Sequence, residues 1–148
     1  MKNDRGVATR RQNKPGGDSS SIIDMANEAY QKTQEEILKE RAEVLGRAGM
    51  ALSDVLEALQ RLDRSIMGKL ARLRSAADNH HPSRLHEINE EIVAYNRTRK
   101  QAQVRYYYLV VTREAMGLRK HKWVEEIYRI PPRKKPLASL QTRQSEEP

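Results

Sequence analysis

Six apolar residues stand at a strict spacing of seven: Leu38, Leu45, Leu52, Leu59, Ile66 and Leu73. With Val55, Leu56, Leu62 and Leu70 three or four places on, they draw a narrow stripe along one helix face that packs against another helix in coiled-coil fashion. The repeat prescribes an architecture and no chemistry.

Nothing between residues 22 and about 77 stops a helix. No proline occurs there, and Ala, Leu, Glu, Gln, Arg and Lys dominate. Residues 18–21 offer N-caps, and Asp24 places a negative charge in the first turn. Such a helix would span roughly 84 Å at about 1.5 Å per residue. Its weak point is Leu45-Gly46-Arg47-Ala48-Gly49, where each glycine costs about 1 kcal/mol relative to alanine. Asp78-Asn79-His80-His81-Pro82-Ser83 is a breaker: Pro82 disfavours helix at the residue before it, and Ser83 is available as the next N-cap. A second helix carries its own seven-spaced line, Ile88, Tyr95, Ala102, Leu109 and Met116, accompanied by Leu85, Ile92 and Tyr106, and ends near Gly117. A short loop between two long periodic helices predicts an antiparallel hairpin.

The two stripes can be set against each other. With the turn centred near residues 80 and 81, Leu73 faces Ile88, Ile66 faces Tyr95, Leu59 faces Ala102, Leu52 faces Leu109 and Leu45 faces Met116. Arg72 and Arg74 come level with Glu87, Glu90 and Glu91. The expected fold is therefore all-α: a long antiparallel, coiled-coil-like helical hairpin with a short C-terminal helix and disordered basic tails. Its divisions are a tail at 1–18, a hairpin domain at 19–130 (helix 19–77, turn 78–83, helix 84–117, short helix 119–129) and a tail at 131–148. The alternative folds the chain back at Gly46 and Gly49 into a compact three-helix bundle of 20–45, 50–77 and 83–117.

The register leaves residues 22–44 beyond the second helix, with a stripe of their own: Ile23, Tyr30, Ile37 and Val44, plus Ala26 and Leu38. One candidate cover is the segment 118–130, where Trp123, Ile127 and Ile130 recur at helical spacing and Arg119, Lys120, His121 and Lys122 would lie near Glu35, Glu36, Glu40 and Glu43. The other is the same surface of a second subunit. The run Val104-Arg105-Tyr106-Tyr107-Tyr108-Leu109-Val110-Val111 is apolar nearly all round, which calls for a third packing neighbour; Ala48, Gly49 and Ala51 across the hairpin would leave room for bulky groups.

Composition narrows the function classes. Charged residues make up 32% of the 148 and hydrophobic ones 37%, with no Phe and one Trp, which suits thin helical seams. The absence of cysteine removes disulfide and thiolate chemistry and is compatible with a reducing cytoplasm, the expected location. The basic N-terminus is followed by no apolar signal core, and no run reaches the roughly 18 to 20 apolar residues that cross a bilayer. The net charge of +8 gathers at the ends: residues 118–136 hold seven basic and two acidic groups, and residues 1–20 five and two. Basic ends of this kind suit nucleic acid, anionic lipid or an acidic protein.

Sharper chemistry finds little support. His80, His81 and His86 with Asp78 are imidazole and carboxylate donors, but three of them fall in an exposed turn, so no metal site is expected. Arg97, Arg99, Lys100 and Arg105 beside the tyrosines have the cation-and-ring mixture used on single-stranded nucleic acid, although the tyrosines suit a core better. Pro131-Pro132-Arg133-Lys134-Lys135-Pro136 is a basic polyproline-like stretch fit for an aromatic groove or a phosphate backbone. Glu125 and Glu126 diverge on a helix and no Ser, His and Asp set has useful spacing, so neither enzyme activity nor a cofactor is expected. The expected function is that of an interaction or scaffold protein, self-associating through Ile23, Tyr30, Ile37, Val44, Tyr107, Tyr108, Val111, Trp123 and Ile127. It would offer basic ends to an unidentified protein. The alternative is a nucleic-acid-binding module in which Arg10, Arg11, Lys14, Lys120, Lys122, Arg133, Lys134 and Lys135 meet phosphates; docking on a membrane surface is a weaker third.

Overall fold

The computed structural model describes residues 18–75 and 82–138. The described residues form three helices, α1 (Asp18–Ser75), α2 (Pro82–Ala115) and α3 (Lys122–Ile127), and no strand occurs among them. By contacts the chain divides into two units, residues 1–40 and 41–148. In the first, every residue of α1 from 19 to 40 is exposed. The second holds the remainder of α1 with α2, α3 and the segment that follows.

In this second unit the two long helices pack against each other through the residues of both heptad lines. One buried cluster joins Leu59 and Ile66 of α1 to Ile88, Ile92 and Tyr95 of α2, with Leu56, Leu62, Leu70 and Leu73 packed on it. Another joins Leu52 to Ala102 and Leu109, with Leu45, Ala48, Val55 and Tyr106 beside it. Across the seam Ser65 donates a 3.2 Å hydrogen bond to Glu91, and Lys69 pairs with both Glu87 and Glu91. The cation is thus Lys69, not Arg72 or Arg74: Lys69 lies three residues after Ile66 and four before Leu73, on the buried side of α1, whereas Arg72 and Arg74 are exposed.

The ends of the helices depart from expectation for identifiable reasons. Pro82 is the first residue of α2 and Ser83 lies inside the helix, because proline at a first helical position forfeits no hydrogen bond and has its φ preset. At the other end Gly117 adopts φ +84°, its N–H bonds to the Glu114 carbonyl at 2.9 Å, and the Leu118 N–H bonds to the Arg113 carbonyl at 2.9 Å. That pair of bonds is a Schellman stop. The expected helix at 119–129 shrinks to Lys122–Ile127.

The compact three-helix alternative is not adopted. α1 remains helical through Gly46 and Gly49, and the two glycines differ: a Cβ at Gly46 would meet nothing within 4 Å, while one at Gly49 would lie 3.0 Å from the Tyr128 hydroxyl. Gly49 therefore serves close packing, although its neighbour is Tyr128 rather than the tyrosines of α2.

Val124 is the α3 residue that packs onto Leu52, Ala102 and Leu109, and Ile130 joins it, while Trp123 and Ile127, expected at a self-association surface, are exposed. Ile23, Tyr30 and Ile37 of the first unit are exposed, as is Val44 in the second. Residues 131–138, expected in a disordered tail, are bound along α2; residues 139–148 and the N-terminal 1–17 lie outside the described residues.

Candidate functional site

After α3 the chain continues without helix and lies back along the seam as a strap. Tyr128 and Ile130 pack on the Leu52 cluster and Leu137 on the Ile66 cluster, which anchors both ends in apolar contacts. Between them the polar side chains of α2 take up the strap's backbone. The Asn96 amide donates to the Lys134 carbonyl at 2.9 Å and accepts from the Lys134 N–H at 3.0 Å. One heptad earlier, Asn89 does the same for Leu137, at 3.1 and 2.7 Å. A carboxamide carries a donor and an acceptor side by side, so it pairs with both groups of one extended residue as a neighbouring strand would.

The prolines are met differently. Proline has no N–H, so only its carbonyl needs a partner, and both partners here are donors: Arg99 Nε donates to the Pro131 carbonyl at 2.7 Å and the Tyr95 hydroxyl to the Pro132 carbonyl at 3.1 Å. Burial raises the Tyr95 hydroxyl above its ordinary value, with Asp63 adding to the rise against the opposing Lys134 and Arg99 charges, which keeps the donated proton in place. Lys134 is held at 2.6 Å by Asp63 and stands 4.9 Å from the centre of the Tyr95 ring. It is consequently withdrawn from the set of cations expected to meet an anionic partner. A cleft of about 790 Å³ remains between α1 and the strap, with Asp63 and Arg64 on one side and Arg129 and Arg133 on the other.

Of the other candidate cations, Lys120, Lys122, Arg133 and Lys135 are exposed, and Arg10, Arg11 and Lys14 lie outside the described residues. Asp78, His80 and His81 also lie outside them, and His86 sits 4.0 Å from Glu90 on the surface of α2. Arg113, unremarked in the sequence, is buried at the end of α2: it donates to the Lys120 carbonyl at 3.0 Å and lies 4.9 Å over the Trp123 ring. Glu114 and His121 close the same corner at 3.2 Å.

The apolar surface is concentrated. Ile22, Ile23, Met25, Tyr30, Ile37 and Leu38 are exposed in the first unit, and Val44 in the second. On α2, Tyr107 and Tyr108, expected at a self-association surface, are 65% and 58% exposed, while Tyr106 turns toward the seam. Their rings meet edge to face at 6.3 Å, with Val104 and Val111 exposed beside them. Tyr108 and Val104 share a shallow groove with Arg97, Lys100 and Arg105.

These features define a class, an all-α protein of two long packed helices whose seam carries a bound C-terminal strap. No family model matches the chain, and neither a curated protein nor a solved structure is detectably similar to it. No described helix is long and apolar enough to cross a membrane.

Proposed function

We propose that this chain is a non-enzymatic interaction protein of the cytoplasm: an antiparallel, coiled-coil-like helical hairpin that self-associates and offers a basic end to a protein partner. The hairpin reading is supported by the opposed sense of the Ser65–Glu91 and Lys69–Glu87 contacts. Self-association is carried by one observation, the exposure of Ile23, Tyr30, Ile37 and Val44, seven apart on α1, together with Tyr107, Tyr108 and Val111 on α2. Scattered exposed apolar groups are ordinary, whereas stripes at helical spacing mark contact surfaces. Lys120, Lys122, Arg133 and Lys135, each exposed, are the described cations open to such a partner.

Light scattering at micromolar concentration tests this reading. The expected result is an oligomer whose mass is unchanged between about 50 mM and 1 M salt, because apolar stripes rather than charges hold it. Ile37→Asp with Tyr30→Asp should dissociate it without loss of helix; a wild-type monomer would refute the proposal.

A second reading is favoured by the exposed tyrosines. Tyr108 beside Arg97, Lys100 and Arg105 pairs a stacking surface with phosphate-neutralising groups, as on proteins that hold single-stranded nucleic acid. It requires retention on single-stranded DNA or RNA at about 50 mM salt that Tyr108→Ala weakens.

A further inference from the structure

The strap has the bonding pattern of a ligand. Each backbone group it offers to α2 is met according to its chemistry. Donors alone face the two proline carbonyls, from Arg99 and Tyr95, and a two-sided carboxamide faces Lys134 and Leu137, which also have an N–H: Asn96 at Lys134 and Asn89 at Leu137. Arg133, Lys135 and Pro136 are exposed and unread by the groove. Recognition thus rests on the main chain, on two adjacent prolines, and on two side chains: Lys134 between Asp63 and the Tyr95 ring, and Leu137 on the Ile66 cluster.

We propose that this face of α1 and α2 is a peptide-binding groove for extended segments of the pattern Pro-Pro-x-Lys-x-x-Leu, and that residues 131–137 are its tethered resident, displaced when a partner protein presents such a segment. The proposal is independent of self-association, since every contact lies within one chain's second unit. The tether sets the threshold. A linked ligand competes at an effective concentration on the order of millimolar, so a partner segment binds only when abundant, multivalent or better matched.

The probe is a fluorescent peptide with the sequence of residues 129–138, Arg-Ile-Pro-Pro-Arg-Lys-Lys-Pro-Leu-Ala. In the full chain, Lys134→Pro with Leu137→Pro removes the two N–H groups that the asparagines accept and frees the groove. That chain should bind the peptide at least about 100-fold more tightly than wild type, and adding Asn89→Ala with Asn96→Ala should abolish the gain. A peptide with alanine at both initial prolines should bind about tenfold more weakly, because the two alanines lose the preset extended backbone and have more conformational freedom to give up on binding. No tighter binding by the freed chain, or binding indifferent to the asparagines, overturns the proposal.

The wild-type chain supplies a check that needs no variant to fold. Exchange of the Lys134 and Leu137 amide protons should accelerate as unlabelled peptide is raised into the millimolar range; unchanged exchange overturns the proposal. The competing occupant is the strap of a second copy. A wild-type dimer whose mass halves in the Lys134→Pro, Leu137→Pro chain would show exchanged straps, and would equally overturn it.

Discussion

Gly46 and Gly49 lie one helical turn apart on α1 and should answer the same substitution in opposite ways. Alanine in a helix interior gains about 1 kcal/mol over glycine. At Gly46 a new Cβ meets nothing within 4 Å, so the gain is kept, and Tm should rise by about 4 °C in a chain of this size. At Gly49 the Cβ would stand 3.0 Å from the Tyr128 hydroxyl, closer than ordinary contact, and Tyr128 is packed on the Leu52 cluster. Displacing it costs about 1–3 kcal/mol, which turns the gain into a net change between zero and a loss of about 2 kcal/mol. Tyr128→Phe removes the offending atom and leaves the ring carbon at 4.0 Å. Gly49→Ala combined with Tyr128→Phe should therefore recover the benefit seen at Gly46, a coupling of about 1–3 kcal/mol. Thermal and urea melts by circular dichroism read all four variants, at one fixed concentration because association would make stability concentration-dependent. If Gly49→Ala stabilises as much as Gly46→Ala, Tyr128 does not sit against α1, and the start of the strap is misplaced with it.

Leu59→Ala should cost about 2–5 kcal/mol in urea melts, since Leu59 is 1% exposed at the centre of the seam, and Leu59→Asp should leave no cooperative unfolding. Stability should fall at both extremes of pH. The Lys69 hydrogen bond holds the Glu91 carboxyl below its ordinary 4.5, so its contribution is complete above that pH and lost as pH falls through the lowered value. Lys69 is raised above 10.5, first by Glu87 and then by Glu91, and Tyr95 is raised by burial, so both contributions are lost as pH climbs past the values of the unfolded chain. Lys69→Met should flatten the acid edge and part of the alkaline one in urea midpoints followed against pH. Lys134→Ala should lower stability by about 1 kcal/mol through the loss of Asp63 and the Tyr95 ring. Arg133→Ala and Lys135→Ala, both exposed, should stay within about 0.5 kcal/mol of wild type.

The seam was legible because burial on a helix is periodic. Leu52, Leu59 and Ile66, and Ile88, Tyr95, Ala102 and Leu109 across from them, repeat every seven residues and are buried. The tyrosines at 106–108 divide between seam and surface: successive residues step about 100° around a helix, so Tyr106 falls beside Ala102 and Leu109 while Tyr107 and Tyr108 turn outward, where a ring with a hydroxyl tolerates water. At α3 the spacing of Trp123, Ile127 and Ile130 had pointed to the stripe of residues 22–44, and gave no sign that Val124, with Ile130 beside it, packs on the Leu52 cluster. Of the interaction surface, the apolar stripe of the first unit could be read from spacing, but the strap could not. Its partners are asparagine, arginine and tyrosine at the border of the seam, residue types that count as solvent-facing in any hydropathy pattern, and its own sequence is that of a basic proline-rich tail.

One numerical signal for the strap was nevertheless present. Seven residues of helix rise about 10.5 Å, and three extended residues cover about 9 to 10 Å. Asparagines seven apart on α2 can therefore pair with strap residues three apart, and Asn89 with Leu137 and Asn96 with Lys134 do so. Continuing by the same step sets residue 103 against residue 131, but Pro131 has no N–H for a carboxamide to accept. Gln103 is exposed and the Pro131 carbonyl goes instead to Arg99, half a heptad nearer. The ladder stops at two amide rungs because the prolines stop it, and the repeat that sets the pitch of the leucine seam also sets the register in which the strap can bind. Inserting one residue between Asn89 and Asn96 would rotate one amide about 100° relative to the other and should release the strap from one of them, visible as rapid amide exchange at Lys134 or Leu137.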